Sequence, residues 1–132
     1  MTLVVDASLV VAALVDSGPT GTWADVVLEA ESLAAPHLML AKAANVLRRA
    51  QLAGELSSDL ASIAHADLMQ LRVELFDYEP FSRRIWELRH NLSVYDAWHV
   101  ALAETLAAPL ATLDNRLVGA AGPRCSFTTP PS

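Results

Sequence analysis

TLVVDASLVVAALVDSGP, Thr2 to Pro19, decides the fold. Thr2–Val5 is a short β-branched and aliphatic run, fit for a strand buried on both faces. Ser8–Val15 then reads as an apolar helix, stopped by Ser17-Gly18-Pro19. Strand passes directly into helix, and Asp6 stands at the junction.

Outward from this stretch the alternation continues. Thr20 or Thr22 can cap a second helix running to about Glu31, and Ser32–Ala35 is a short strand before Pro36. A long helix is predicted from Leu38 to Ala53, ended by Gly54, and Ser57-Ser58-Asp59 starts another through Leu71. Val73–Phe76 alternates as a strand, and Pro80 fits the first turn of a helix to Arg89. Ser93 begins a helix to Leu106, Pro109–Leu113 reads as a buried strand, a short helix follows Asp114, and Ser126–Thr129 forms an edge strand. The pattern predicts one α/β sandwich over residues 1–132, with a mainly parallel central sheet. In such sheets ligands bind beyond the carboxyl ends of the strands.

The chain has 132 residues, 53% of them hydrophobic and only 18% charged, more apolar than a solvated monomer needs, which points to a buried partner surface. No apolar run approaches the roughly 20 residues of a membrane span. The N-terminus Met1-Thr2-Leu3 carries no basic residue and Asp6 interrupts the apolar stretch, so no secretory leader is expected. The single cysteine, Cys125, excludes an internal disulfide and fits a reducing cytoplasm. A net charge of −6 argues against gripping nucleic acid through a broad basic face. Any such activity needs a local device, either a bound metal ion or a small arginine cluster.

Asp6 ends the first strand and Asp114 follows the fourth in PLATLDN, so both belong to the predicted ligand edge. Asp96, in SVYDAWHVALAE, lies in the first turn of its helix and can bring a third carboxylate there. Each also suits a helix cap: Asp6 or Ser8 for the first helix, Ser93 with Asp96 as a capping box, Asp114 before Asn115. Three acids at one sheet edge favour a hard divalent cation over caps alone.

LVVDASLVVAALV, PHLMLAKAANVLRR, LSVYDAWHVALAE and PLATLDNRL, taken in order and spacing, resemble the PIN-domain ribonucleases, especially the VapC toxins of bacterial toxin–antitoxin pairs. The resemblance runs from Leu3 to about Leu117. It implies a three-layer α/β/α fold and an acidic quartet that binds Mg²⁺ or Mn²⁺ and hydrolyses RNA phosphodiester bonds. The quartet falls on Asp6, position 42, Asp96 and Asp114, with Asp6, Asp96 and Asp114 as metal ligands. Ser8, Asn45 and Thr112 match the supporting polar positions. The family further implies an RNA substrate, an antitoxin protein and a homodimer, and the lack of a long apolar run adds the expectation of no membrane partner.

Position 42 departs from the pattern, because a lysine stands where the family has glutamate. Lys42 is the only lysine in the chain. Carboxylates around a vacant cation site repel one another by about 4 kcal/mol per pair at about 4 Å and an effective dielectric near 20. An ammonium group can relieve this without a metal, so Lys42 is expected to reach toward Asp6, Asp96 or both. Metal binding is then weakened and RNA cleavage slow or lost. The bland alternative is an ordinary helix lysine with its stem over apolar neighbours.

His99, three residues after Asp96, shares its helix face and reads as a partly buried residue with satisfied ring nitrogens. His37, His65 and His90 have no zinc spacing with Cys125. Arg48-Arg49 and Arg83-Arg84 are the only basic pairs, able to follow RNA backbone or to sit on solvated faces. Trp23, Trp86 and Trp98 read as core or interface anchors. Two rivals remain: a catalytically dead PIN domain that binds RNA or antitoxin, and an aspartyl phosphotransfer domain. The latter has its lysine in the wrong order, and a haloacid-dehalogenase-like enzyme would want aspartate at Ser8.

Overall fold

The structure is a computed structural model describing residues 1–30 and 32–131. Five strands, β1 (Thr2–Val5), β2 (Ser32–Pro36), β3 (Val73–Phe76), β4 (Leu110–Ala111) and β5 (Phe127–Thr128), form one sheet in the order β3-β2-β1-β4-β5. Every pairing is parallel, so the expected mainly parallel sheet is parallel throughout. The chain steps outward from β1 to β2 and β3, then returns to the other side of β1 for β4. Strand order therefore reverses between β1 and β4, where an open parallel sheet has its ligand crevice.

Side chains alternate across the strands and feed two cores. Leu3, Val5, Leu33, Ala35 and Ala111 face α1 (Ala7–Val15), α2 (Pro19–Ala30), α3 (Met39–Leu52) and α4 (Ser58–Met69). Val4, Ala34 and Leu110 face α5 (Ser82–Glu87) and α6 (Val94–Leu106), with Leu117 of α7 (Asn115–Val118). This gives the α/β/α sandwich. Helix α6 is the most enclosed, with every residue from Ala97 to Ala103 buried. No helix among the described residues is long and apolar enough to cross a membrane.

Three expected boundaries shift for physical reasons. Helix α2 starts at Pro19 because Asp16 Oδ1 accepts from the Gly18 amide at 2.7 Å, turning the chain so that proline opens the helix. The expected Pro80–Arg89 helix is split into a 3₁₀ turn, Glu79–Phe81, and α5, because Phe81 leaves helical geometry at φ −106° to bury its ring. The expected Pro109–Leu113 strand keeps only Leu110–Ala111, since Thr112 already turns toward the next helix.

Candidate functional site

Asp6 leaves β1 in extended geometry and caps α1, its Oδ1 accepting from the Leu9 amide at 3.1 Å and from the Ser8 hydroxyl at 2.6 Å. Its other oxygen accepts from the hydroxyl of fully buried Thr112, beyond β4. Ser8 Oγ accepts from the Leu113 amide at 3.3 Å, and Thr112 Oγ1 from the Asp114 amide at 3.0 Å. Two strand ends are thus laced together through one carboxylate, with Ser8 and Thr112 both bonded to Asp6.

Asp114 caps α7 through the Arg116 and Leu117 amides, at 2.9 and 3.3 Å, and lies 3.5 Å from the Arg116 guanidinium. Asp96 sits in the first turn of α6, capped by Ser93, and its carboxylate makes no hydrogen bond or ion pair among the described residues. Asp6, Asp96 and Asp114 line one cleft of about 410 Å³, with Ala7, Ser8, Val11, Lys42, Val46, Arg49 and His99.

Helix α3 supplies the facing wall. Met39, Ala43 and Leu47 point into the core, while the neighbouring row Lys42, Val46 and Arg49 faces the cleft. The Lys42 ammonium lies 4.8 Å from the centroid of the Tyr95 ring, the residue before Asp96. It makes no ion pair with a carboxylate among the described residues, so the predicted reach toward Asp6 or Asp96 ends instead on an aromatic face. Asn45 does not join the site. It is exposed and falls about 60° off the row through Lys42, since each residue turns a helix by about 100°.

His99 departs from the expectation that both its ring nitrogens are satisfied. Nδ1 donates to the Tyr95 carbonyl at 2.8 Å, but Nε2 is buried with no partner among the described residues. Burial holds this imidazole below its usual range, assisted by Lys42 and opposed by the Tyr95 carbonyl, Asp6 and Asp96. It is therefore neutral near pH 7, with Nε2 a bare acceptor.

Among the described residues no three carboxylate, imidazole or thiol groups converge closely enough to hold a metal ion. Asp6, Asp96 and Asp114 share a cleft without forming a ligand set. Asp6 is committed to three donors, Asp114 is turned to its helix cap, and a cation stands on the opposite wall. The residues present do not fit a divalent cation.

Tyr95 and Arg49 are the site residues the sequence analysis missed as individuals. Tyr95 carries no reading of its own in the sequence, and Arg49 is paired there with Arg48, although Arg48 lines a separate groove between α3 and α4. The spacing of Lys42, Val46 and Arg49 was the available signal. Arg84 belongs elsewhere: it donates to Glu104 at 2.7 and 3.0 Å and to the Gly122 carbonyl at 2.9 Å, which excludes it from an RNA track.

Comparison with known proteins agrees with this architecture. A family model described as the PIN domain matches residues 3–123. The chain is 40% identical over 125 residues to Ribonuclease VapC1 of Mycobacterium tuberculosis, covering 94% of each. It is 38% identical over 129 residues to Ribonuclease VapC9 of the same organism, covering 98% of each. Its fold is similar to that of PAE2754 from Pyrobaculum aerophilum, at a TM-score of 0.74 and 24% identity, covering 98% of this chain and 89% of that one.

Proposed function

This chain belongs to the PIN-domain family, and from that premise we propose that it is a toxin-type endoribonuclease domain whose metal-dependent hydrolysis is impaired by Lys42. The observation that carries the proposal is the position of Lys42 on the wall opposite Asp6, Asp96 and Asp114, in the crevice where the strand order reverses. The relatives are named ribonucleases, which supports RNA as the substrate. The resemblance places a glutamate at position 42 and assigns hydrolysis to Mg²⁺ or Mn²⁺, which would activate water and stabilise developing charge. A lysine there removes one negative charge and adds a positive one beside an incoming dication.

The chain's own residues keep the rest of the machinery in order. Ser8 and Thr112 fix Asp6 at the junction of β1 and β4, and Ser93 fixes the turn that carries Asp96. Single-turnover cleavage of single-stranded RNA in Mn²⁺ tests the reading. The parent should be inactive or very slow, Lys42→Glu faster by on the order of 100-fold, and Lys42→Glu with Asp6→Asn slow again. Equal rates for the parent and Lys42→Glu would sink it.

A protein partner fits the same reading. Leu60, Ile63 and Met69 on α4 and Val26 on α2 are all at least half exposed, which suits the antitoxin and second copy that the resemblance implies. We place this activity in the cytoplasm, where one unpaired cysteine is unexceptional.

A further inference from the structure

We infer that in this chain the cleft has become a phosphodiester-binding site that works without a divalent ion, with Lys42 and Arg49 each holding a backbone phosphate of single-stranded RNA beside Tyr95. This rests on the proposal that RNA is the substrate. It begins from the disagreement between the carboxylate set and a metal ligand set.

Lys42 and Arg49 are seven residues apart on α3, two helical turns, so both charges lie along one side of the cleft. Neither forms an ion pair among the described residues, so both remain available to an anion. The opposing negative charge is dispersed unequally. Asp6 is surrounded by three donors and Asp114 has Arg116 beside it, leaving Asp96 as the one cleft carboxylate without a hydrogen bond or ion pair among the described residues.

Tyr95 distinguishes RNA from an acidic peptide. The residue is half exposed, and its ring lies next to the Lys42 ammonium. Cations paired with an accessible aromatic ring are the arrangement that grips single strands, the cation on phosphate and the ring on a base. An acidic peptide would use the cations and leave the ring idle. With a net charge of −6, the protein has to concentrate attraction locally, and this wall of α3 does so.

The test is fluorescence anisotropy with a fluorescein-labelled, mixed-sequence RNA decamer in EDTA, over a series of salt concentrations. The parent should bind without Mn²⁺. Lys42→Met and Arg49→Met should each weaken binding about fivefold to tenfold and flatten the slope of log K against log salt by about 0.7, one single-strand phosphate contact. Lys42→Arg, which restores charge, should recover the slope, and matched unfolding temperatures show that the variants are folded.

Parent binding that appears only with Mn²⁺, or Met variants with parental affinity and slope, would overturn the inference. So would equal affinity for an oligoglutamate decapeptide. Should Lys42→Glu gain no cleavage while Lys42→Met still loses binding in EDTA, the ribonuclease reading fails and the phosphate site stands.

Discussion

Thr112 shows how much one hydroxyl holds at the residue scale. It is wholly buried, donates to Asp6 and accepts from the Asp114 amide, so its loss leaves a half-buried carboxylate short of a donor. Thr112→Val, which keeps the volume but not the hydroxyl, should cost about 1–3 kcal/mol in urea unfolding. Glu104 makes a comparable argument with charge. Burial raises its pKa, but hydrogen bonds from Arg84 and the Arg124 amide, together with the charges of both arginines, outweigh this and hold it below the usual carboxylate range. A depressed folded pKa means that this stabilisation is fully present above the unfolded value, about 4.3, and is lost as pH falls through the folded one. Glu104→Gln should lower stability at pH 7 by about 2 kcal/mol, with the difference from the parent shrinking in acid. Urea titrations at pH 7 and pH 3 read both.

At the scale of elements, two backbone positions define how helices begin and end. A Cβ on Gly21 would lie 1.8 Å from the Asp16 carbonyl oxygen, so α2 approaches the end of α1 too closely for any side chain. Gly21→Ala should destabilise by about 2 kcal/mol or more, measured as a fall in Tm, because the opposing atoms are backbone and cannot swing aside. Helix α6 ends at Ala107 in left-handed geometry, φ 51° and ψ 42°, a conformation that strains a side chain by about 1–2 kcal/mol. Ala107→Gly should therefore raise Tm slightly, since glycine's greater entropy loss offsets part of the relief. Long periodic segments were legible because apolar spacing determines which face is buried, as with Met39, Ala43 and Leu47. The split at Phe81 was not legible, because it arises from where a ring finds space in the core rather than from local preference.

The whole molecule is organised by the return of the chain to the far side of β1. That reversal brings Asp6 and Asp114, 108 positions apart in the chain, to one crevice, and strand-helix alternation alone was enough to predict the edge. Side-chain direction was less legible. Asn45 falls off the cleft-facing row, the Lys42 ammonium stops on Tyr95, and His99 keeps one ring nitrogen bare, all outcomes of three-dimensional neighbours that spacing does not specify. The anomaly at position 42 was legible from the start, since one lysine in an arginine-using chain stood where an acid was expected. The account turns on that lysine's charge excluding a divalent ion. Isothermal titration of Mn²⁺ into the parent and into Lys42→Glu measures this directly: the account predicts at least about tenfold tighter binding by Lys42→Glu, and equal affinities would contradict it.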